Sequence, residues 1–84
     1  MIVYGVFEFF TEGSSLEGLF LKEEDAINYA NELGERNKKE DDEHIYEGYG
    51  IGIENSFIWE KIKEGYWKTK SGLNSIYVKE LEVK

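Results

Sequence analysis

The chain has 84 residues, with 18 Asp or Glu against 10 Lys or Arg, and a formal net charge of −8. With no Cys and a single His, the sequence excludes disulfides and the usual zinc arrangements, which fits a reducing, cytosolic setting. Its charge opposes direct nucleic-acid binding, which needs cationic side chains at the phosphates, and its aromatic residues, 15% of the chain, must supply much of a small core.

The first ten residues, MIVYGVFEFF, carry neither the basic region nor the cleavage site of a signal peptide. Their apolar run is too short to span a bilayer, so the expectation is a cytoplasmic protein that does not engage a membrane. Residues 2–10 are apolar on both alternating sets, Ile2, Tyr4 and Val6 against Val3, Phe7 and Phe9. That pattern predicts a strand near the centre of a sheet. A Gly-Ser turn at 11–15 joins it to a second strand over 16–21 as a hairpin.

From 23 to about 39 the apolar period becomes helical, with Ala26, Ile27, Ala30 and Leu33 on one face. Glu23, Glu24 and Asp25 in the first turn and Arg36, Lys38 and Lys39 in the last match the helix dipole. Gly34 is an irregularity that favours an early end, because Gly in a helix interior costs up to about 1 kcal/mol relative to Ala. Residues 40–43 then read as a polar connection.

Residues 44–54 predict a strand with Tyr49, Ile51 and Ile53 on one side and Gly48, Gly50 and Gly52 on the other. The alternation is not that of a phosphate loop, whose glycines lead into a helix N-terminus. A bare strand face suits the close approach of a ring, Trp59 and Trp67 being specific candidates. Two readings stay open for 55–70: a short helix over 57–64 capped at Asn55-Ser56, which is preferred, or a strand paired with 66–70 through a turn at Glu64-Gly65. Residues 75–84 alternate as a closing strand. The expected fold is a single α+β domain, an antiparallel sheet of about four strands with one main amphipathic helix across one face and a second short helix.

No catalytic or metal motif stands out. The run Glu40-Asp41-Asp42-Glu43 lacks the one-in-two spacing and central Gly of a calcium loop, and His44 has no nucleophile or orienting partner in the sequence. Neither an enzyme nor a cofactor is expected. The charge layout is more informative, because residues 1–43 hold 12 acids and 4 bases and hence all of the net charge. Glu24, Asp25, Glu32 and Glu35, together with Glu40, Asp41, Asp42 and Glu43, are expected to form an acidic surface. Such a surface resembles nucleic-acid charge and steers a basic groove on a partner protein, with strong salt dependence. Tyr49, Trp59, Tyr66 and Trp67 are the candidate aromatic anchors, with core packing the alternative for these rings.

The order of a strand, a Gly-Ser turn, "GLFLKEEDAINYANEL" and a terminal "SIYVKELEV" resembles small acidic domains encoded by bacteriophages and low-GC bacteria. The resemblance covers about the first 40 residues and the last ten. It implies a setting in which small acidic proteins inhibit host machinery or host defence. The leading expectation is therefore a non-enzymatic inhibitor of a host protein with a basic surface. Two alternatives stand beside it: a small-ligand binder whose pocket, between subunits of a homo-oligomer, uses the glycine face and Trp59, Tyr66 or Trp67, and a structural accessory domain.

Overall fold

The computed structural model describes residues 1–46 and 58–83, the side chains of 42–46 excepted. In chain order it contains β1 (Ile2–Phe10), β2 (Gly13–Phe20), α1 (Glu23–Tyr46), β3 (Trp59–Lys63), β4 (Tyr66–Thr69) and β5 (Ser75–Glu82). The strands form one sheet in the order β2-β1-β5-β4-β3, and every pairing is antiparallel. The α+β class is as expected, and β1 sits inside the sheet between β2 and β5.

Several expectations need correction. The sheet has five strands rather than about four, and the described residues contain no second helix. Residues 59–63 pair with 66–69 through the Glu64-Gly65 turn, the hairpin alternative. Ile58 and Ile62 are one helical turn apart, but that spacing is misleading, since Ile62 is exposed while Trp59, Trp67 and Thr69 are buried with period two. Gly65 makes the turn possible with a left-handed φ of 77°. Strand β2 starts at Gly13, within the segment expected to be the turn.

The helix also differs from expectation. It runs through Gly34 and continues to Tyr46, so 40–43 is helical rather than a connection, and 44–46 is not strand. Arg36, Lys38 and Lys39 consequently sit in mid-helix, where they no longer complement the C-terminal end of the dipole. The rest of the glycine-alternating segment lies outside the described residues.

Tertiary contacts explain the extension. Asn37 Nδ2 donates to Glu8 on β1 at 2.6 Å, and Trp59 Nε1 on β3 donates to the Asp41 carboxylate. These bonds hold the second half of α1 on the sheet and offset acids near a helix C-terminus, which cost about 0.3–1 kcal/mol each.

The core lies between α1 and one sheet face. It comprises Val6, Ala26, Ala30, Leu33, Trp59, Trp67 and Ile76, with Tyr4, Phe20, Tyr29 and Val78 packed around it. Ala26 and Ala30 are small enough to bring the helix close to the strands. At Gly34 the approach is closer still, because a Cβ there would lie 2.2 Å from Trp67 Cδ2. A bare backbone does receive a tryptophan ring in this fold, and it belongs to the helix.

Asn31, one turn before, ties the β3–β4 hairpin to α1. Its Oδ1 accepts from Gly65 N at 2.9 Å and from Trp67 Nε1 at 3.1 Å, while its Nδ2 donates to Glu64 Oε2 at 2.6 Å. At the other end of β4, the N–H of buried Thr69 donates to the Asn74 carbonyl at 2.9 Å and closes the turn into β5.

Candidate functional site

Three surface features are candidates. The first is the outer side of α1, opposite Ala26, Ala30 and Leu33. Glu24, Asp25, Glu32 and Glu35 are all exposed there, as the sequence pattern implies; Glu40 is exposed too, but two turns after Leu33 it stands on the line of the packed side, toward the end of the helix. Asp41 is half-buried and bound to Trp59, so it belongs to the helix–sheet contact. Asp42 and Glu43 fall in the last turns of α1, with side chains outside the description, and Tyr49 is outside the described residues altogether.

The anchors need a larger correction. Trp59 and Trp67 are only 3% and 4% exposed and form the core, so the free chain does not present them to a partner. Their large apolar area is what closes a core built from few residues. Tyr66 is half-buried and lines a cleft instead. The rings expected around a ligand pocket are thereby separated.

The second feature was missed in the sequence. On the sheet face opposite α1, Phe7 and Tyr77 stack with centroids 5.7 Å apart and planes 19° from parallel. Gly5 lies beside them, and a Cβ there would meet Phe7 at 2.8 Å, Leu81 at 3.1 Å and Leu16 at 3.3 Å. These side chains fold over the bare Gly5 backbone and share one face. Leu19 faces Gly5 in register, and Phe9 follows Phe7 by strand alternation. Leu16, Leu19 and Phe9 are 50%, 57% and 47% exposed. Lys79, opposite Gly5, and Lys68, opposite Ser75, supply cations on the same side.

No described element covers this face. Contiguous apolar surface of this kind marks interaction sites more often than chance exposure does. The available signal was the double apolar pattern of β1, read as burial on both sides. Strand β1 is indeed interior within the sheet, but the described elements cover only one of its faces.

The third feature is a cleft of about 450 Å³ where the start of α1, the β3–β4 turn and β5 meet. Tyr4, Glu23, Glu64, Tyr66, Val78 and Glu80 are among its walls. Glu64 is held below its ordinary value of 4.5 by its hydrogen bond with Lys61, whose Nζ lies at 2.7 Å, and then by its bond from Asn31. Its folded value is below its unfolded one, so its contribution is complete above the ordinary glutamate range and is lost as pH falls through the folded value. The protection of the Gly65 amide, measured relative to the intrinsic exchange rate at each pH, is thus expected to fall below about pH 4.5. Glu64→Gln should remove that pH step; a step unchanged in the variant contradicts the assignment.

Among the described residues, no three His, Cys, Asp or Glu side chains gather as a metal site, and no helix is long and apolar enough to cross a membrane. Comparison with known proteins finds no family model, no curated protein and no solved structure that matches the chain.

Proposed function

We propose that the chain is a non-enzymatic protein-interaction module that inhibits a host or defence protein, in the manner of small phage-encoded inhibitors. The observation that carries the interaction reading is the sheet face with Phe7, Phe9, Leu16, Leu19, Tyr77 and Leu81, which no described element covers. Those side chains take over the anchoring role assigned to Trp59 and Trp67. The acidic outer side of α1 acts at longer range. It steers a partner with a basic surface, raises the encounter rate and makes association salt-dependent.

The test is affinity capture from host-cell lysate at low and high salt, with three forms of the protein. The unmodified chain is expected to retain a basic host protein and to release it as salt rises. Phe9→Ser combined with Leu16→Ser should leave the fold within about 1 kcal/mol, since both side chains are half exposed, and should abolish retention. Glu24→Lys combined with Glu35→Lys should weaken capture at low salt and flatten its salt dependence. If both variants retain the same proteins as the unmodified chain, the interaction reading is wrong.

A further inference from the structure

Among the described residues, strand β5 has one satisfied edge and one that is only partly satisfied. Toward β1 it is paired from Ser75 to Glu82. Toward β4 the ladder contains only Trp67 opposite Ile76 and Lys68 opposite Ser75, because the chain turns away at Glu64-Gly65. Beyond Tyr77 no described strand lies on that side.

The direction of the free groups follows from the end of the sheet. Met1 and Val83 exchange both backbone bonds, Val83 N to Met1 O at 2.8 Å and Met1 N to Val83 O at 3.3 Å. Antiparallel bonding alternates from that pair, so the amides and carbonyls of Leu81, Lys79 and Tyr77 point to β1. Those of Val78, Glu80 and Glu82 point to the open edge. The cleft lies along this edge, with Val78 and Glu80 in its wall and the Gly65–Tyr66 end of the hairpin across from them.

We propose that this edge accepts an extended peptide strand of alternating basic and apolar residues from the partner protein. Strand addition to an exposed edge uses main-chain bonds for affinity and alternate side chains for specificity. Here the two sides of the edge differ in chemistry. On the α1 side stand Glu80 and Glu82, with Glu23 and the Lys61-paired Glu64 around the cleft; Lys63 also lines it, but the carboxylates outnumber it and this side selects lysine or arginine. On the opposite side Tyr77 and Leu81 flank Lys79, so this side offers apolar contact, selects an aliphatic residue and disfavours a second cation.

A second copy of the chain fits poorly. Pairing two β5 edges about a two-fold axis brings Glu80 and Glu82 of one copy against those of the other, and like charges across a ladder are destabilising. Acidic residues on an edge strand are a recognised defence against such self-pairing. The same charges attract a basic strand.

This inference rests on the reading of the chain as an interaction module, and the test separates the two. The probe is a short blocked peptide of alternating lysine and valine, added to the full chain while backbone amide exchange is followed by NMR. Val78, Glu80 and Glu82 amides are expected to exchange freely without peptide and to become protected with it. Glu80→Lys combined with Glu82→Lys should weaken the peptide about tenfold, two exposed ion pairs turned to repulsion, and favour a glutamate–valine peptide instead. A peptide N-methylated on its pairing amides should not bind. Equal binding of the methylated peptide, protection already present in the free chain, or no protection with peptide each overturns the strand-addition proposal. In all three cases, lysate capture that still depends on Phe9 and Leu16 would leave the interaction module standing.

Discussion

Gly34→Ala is expected to destabilise the protein by about 3 kcal/mol, although alanine is the better helix former. At an exposed mid-helix site the same change stabilises by up to about 1 kcal/mol. Here the added methyl would lie 2.2 Å from Trp67 Cδ2 and 2.5 Å from both Cγ and Cε2. These atoms belong to the base of a buried indole, so no flexible chain end can swing away. The ring must shift from a site where it also donates to Asn31, or α1 must lift from the sheet. Overpacking of this kind costs about 1–3 kcal/mol and sometimes more. For a domain of this size the expected fall in melting temperature is about 12–24 °C. A double-mutant cycle with Trp67→Leu isolates the cause, because in that background the alanine should become nearly neutral. A Gly34→Ala protein that melts at or above the unmodified chain would show that Trp67 does not pack on the helix backbone.

The second large effect is expected at Asn31. One side-chain oxygen serves two donors, the buried Gly65 amide and the Trp67 indole, and the amide nitrogen reaches Glu64. Asn31→Leu leaves both donors without a protein partner. Each unsatisfied buried donor costs about 1–3 kcal/mol, and partial access of water to the turn lowers the sum, giving a net loss of about 2 kcal/mol. Asn31→Asp keeps the accepting oxygen but sets a second carboxylate against Glu64; combined with Glu64→Gln, which removes that repulsion and restores a donor, it should cost less than the leucine variant. Chemical denaturation gives the ranking. Equal losses for the two variants would mean that the shared acceptor is not what holds the hairpin to α1. Local exchange provides a second readout, because the Gly65 amide should open faster in the leucine variant than residues of the β1–β5 ladder do.

Both effects come from one close contact between α1 and the β3–β4 hairpin, and the sequence disguises it. Gly34 looks like a helix stop when judged by propensity alone, because the tryptophan that requires a bare backbone lies over thirty residues away in the chain. Likewise, Ile58 and Ile62 are spaced as on a helix, yet hydrogen bonding to β4 and the burial of Trp59 and Trp67 outweigh that local signal. The end of the helix differs for a related reason: Glu40, Asp41, Asp42 and Glu43 have the composition of a solvated linker, and the bond from Trp59 to Asp41 is a tertiary reason for them to stay helical.

What the sequence determined by itself was local and periodic. The alternation of residues 2–10 placed β1 inside a sheet, the helical spacing of Ala26, Ala30 and Leu33 identified the packed side of α1, and the concentration of acids in 1–43 marked its outer side. The closing strand at Ser75 was equally legible. Tertiary structure alone decided which apolar faces are covered. Periodicity shows that a face is apolar; it does not show whether the molecule has a second layer to lay upon it. Among the described residues one helix covers one side of a five-stranded sheet. Trp59 and Trp67 went beneath that helix, while Phe7, Phe9, Leu16 and Leu19 were left on the other side. The surface on which the proposed function rests is the side of the sheet that the described helix does not cover.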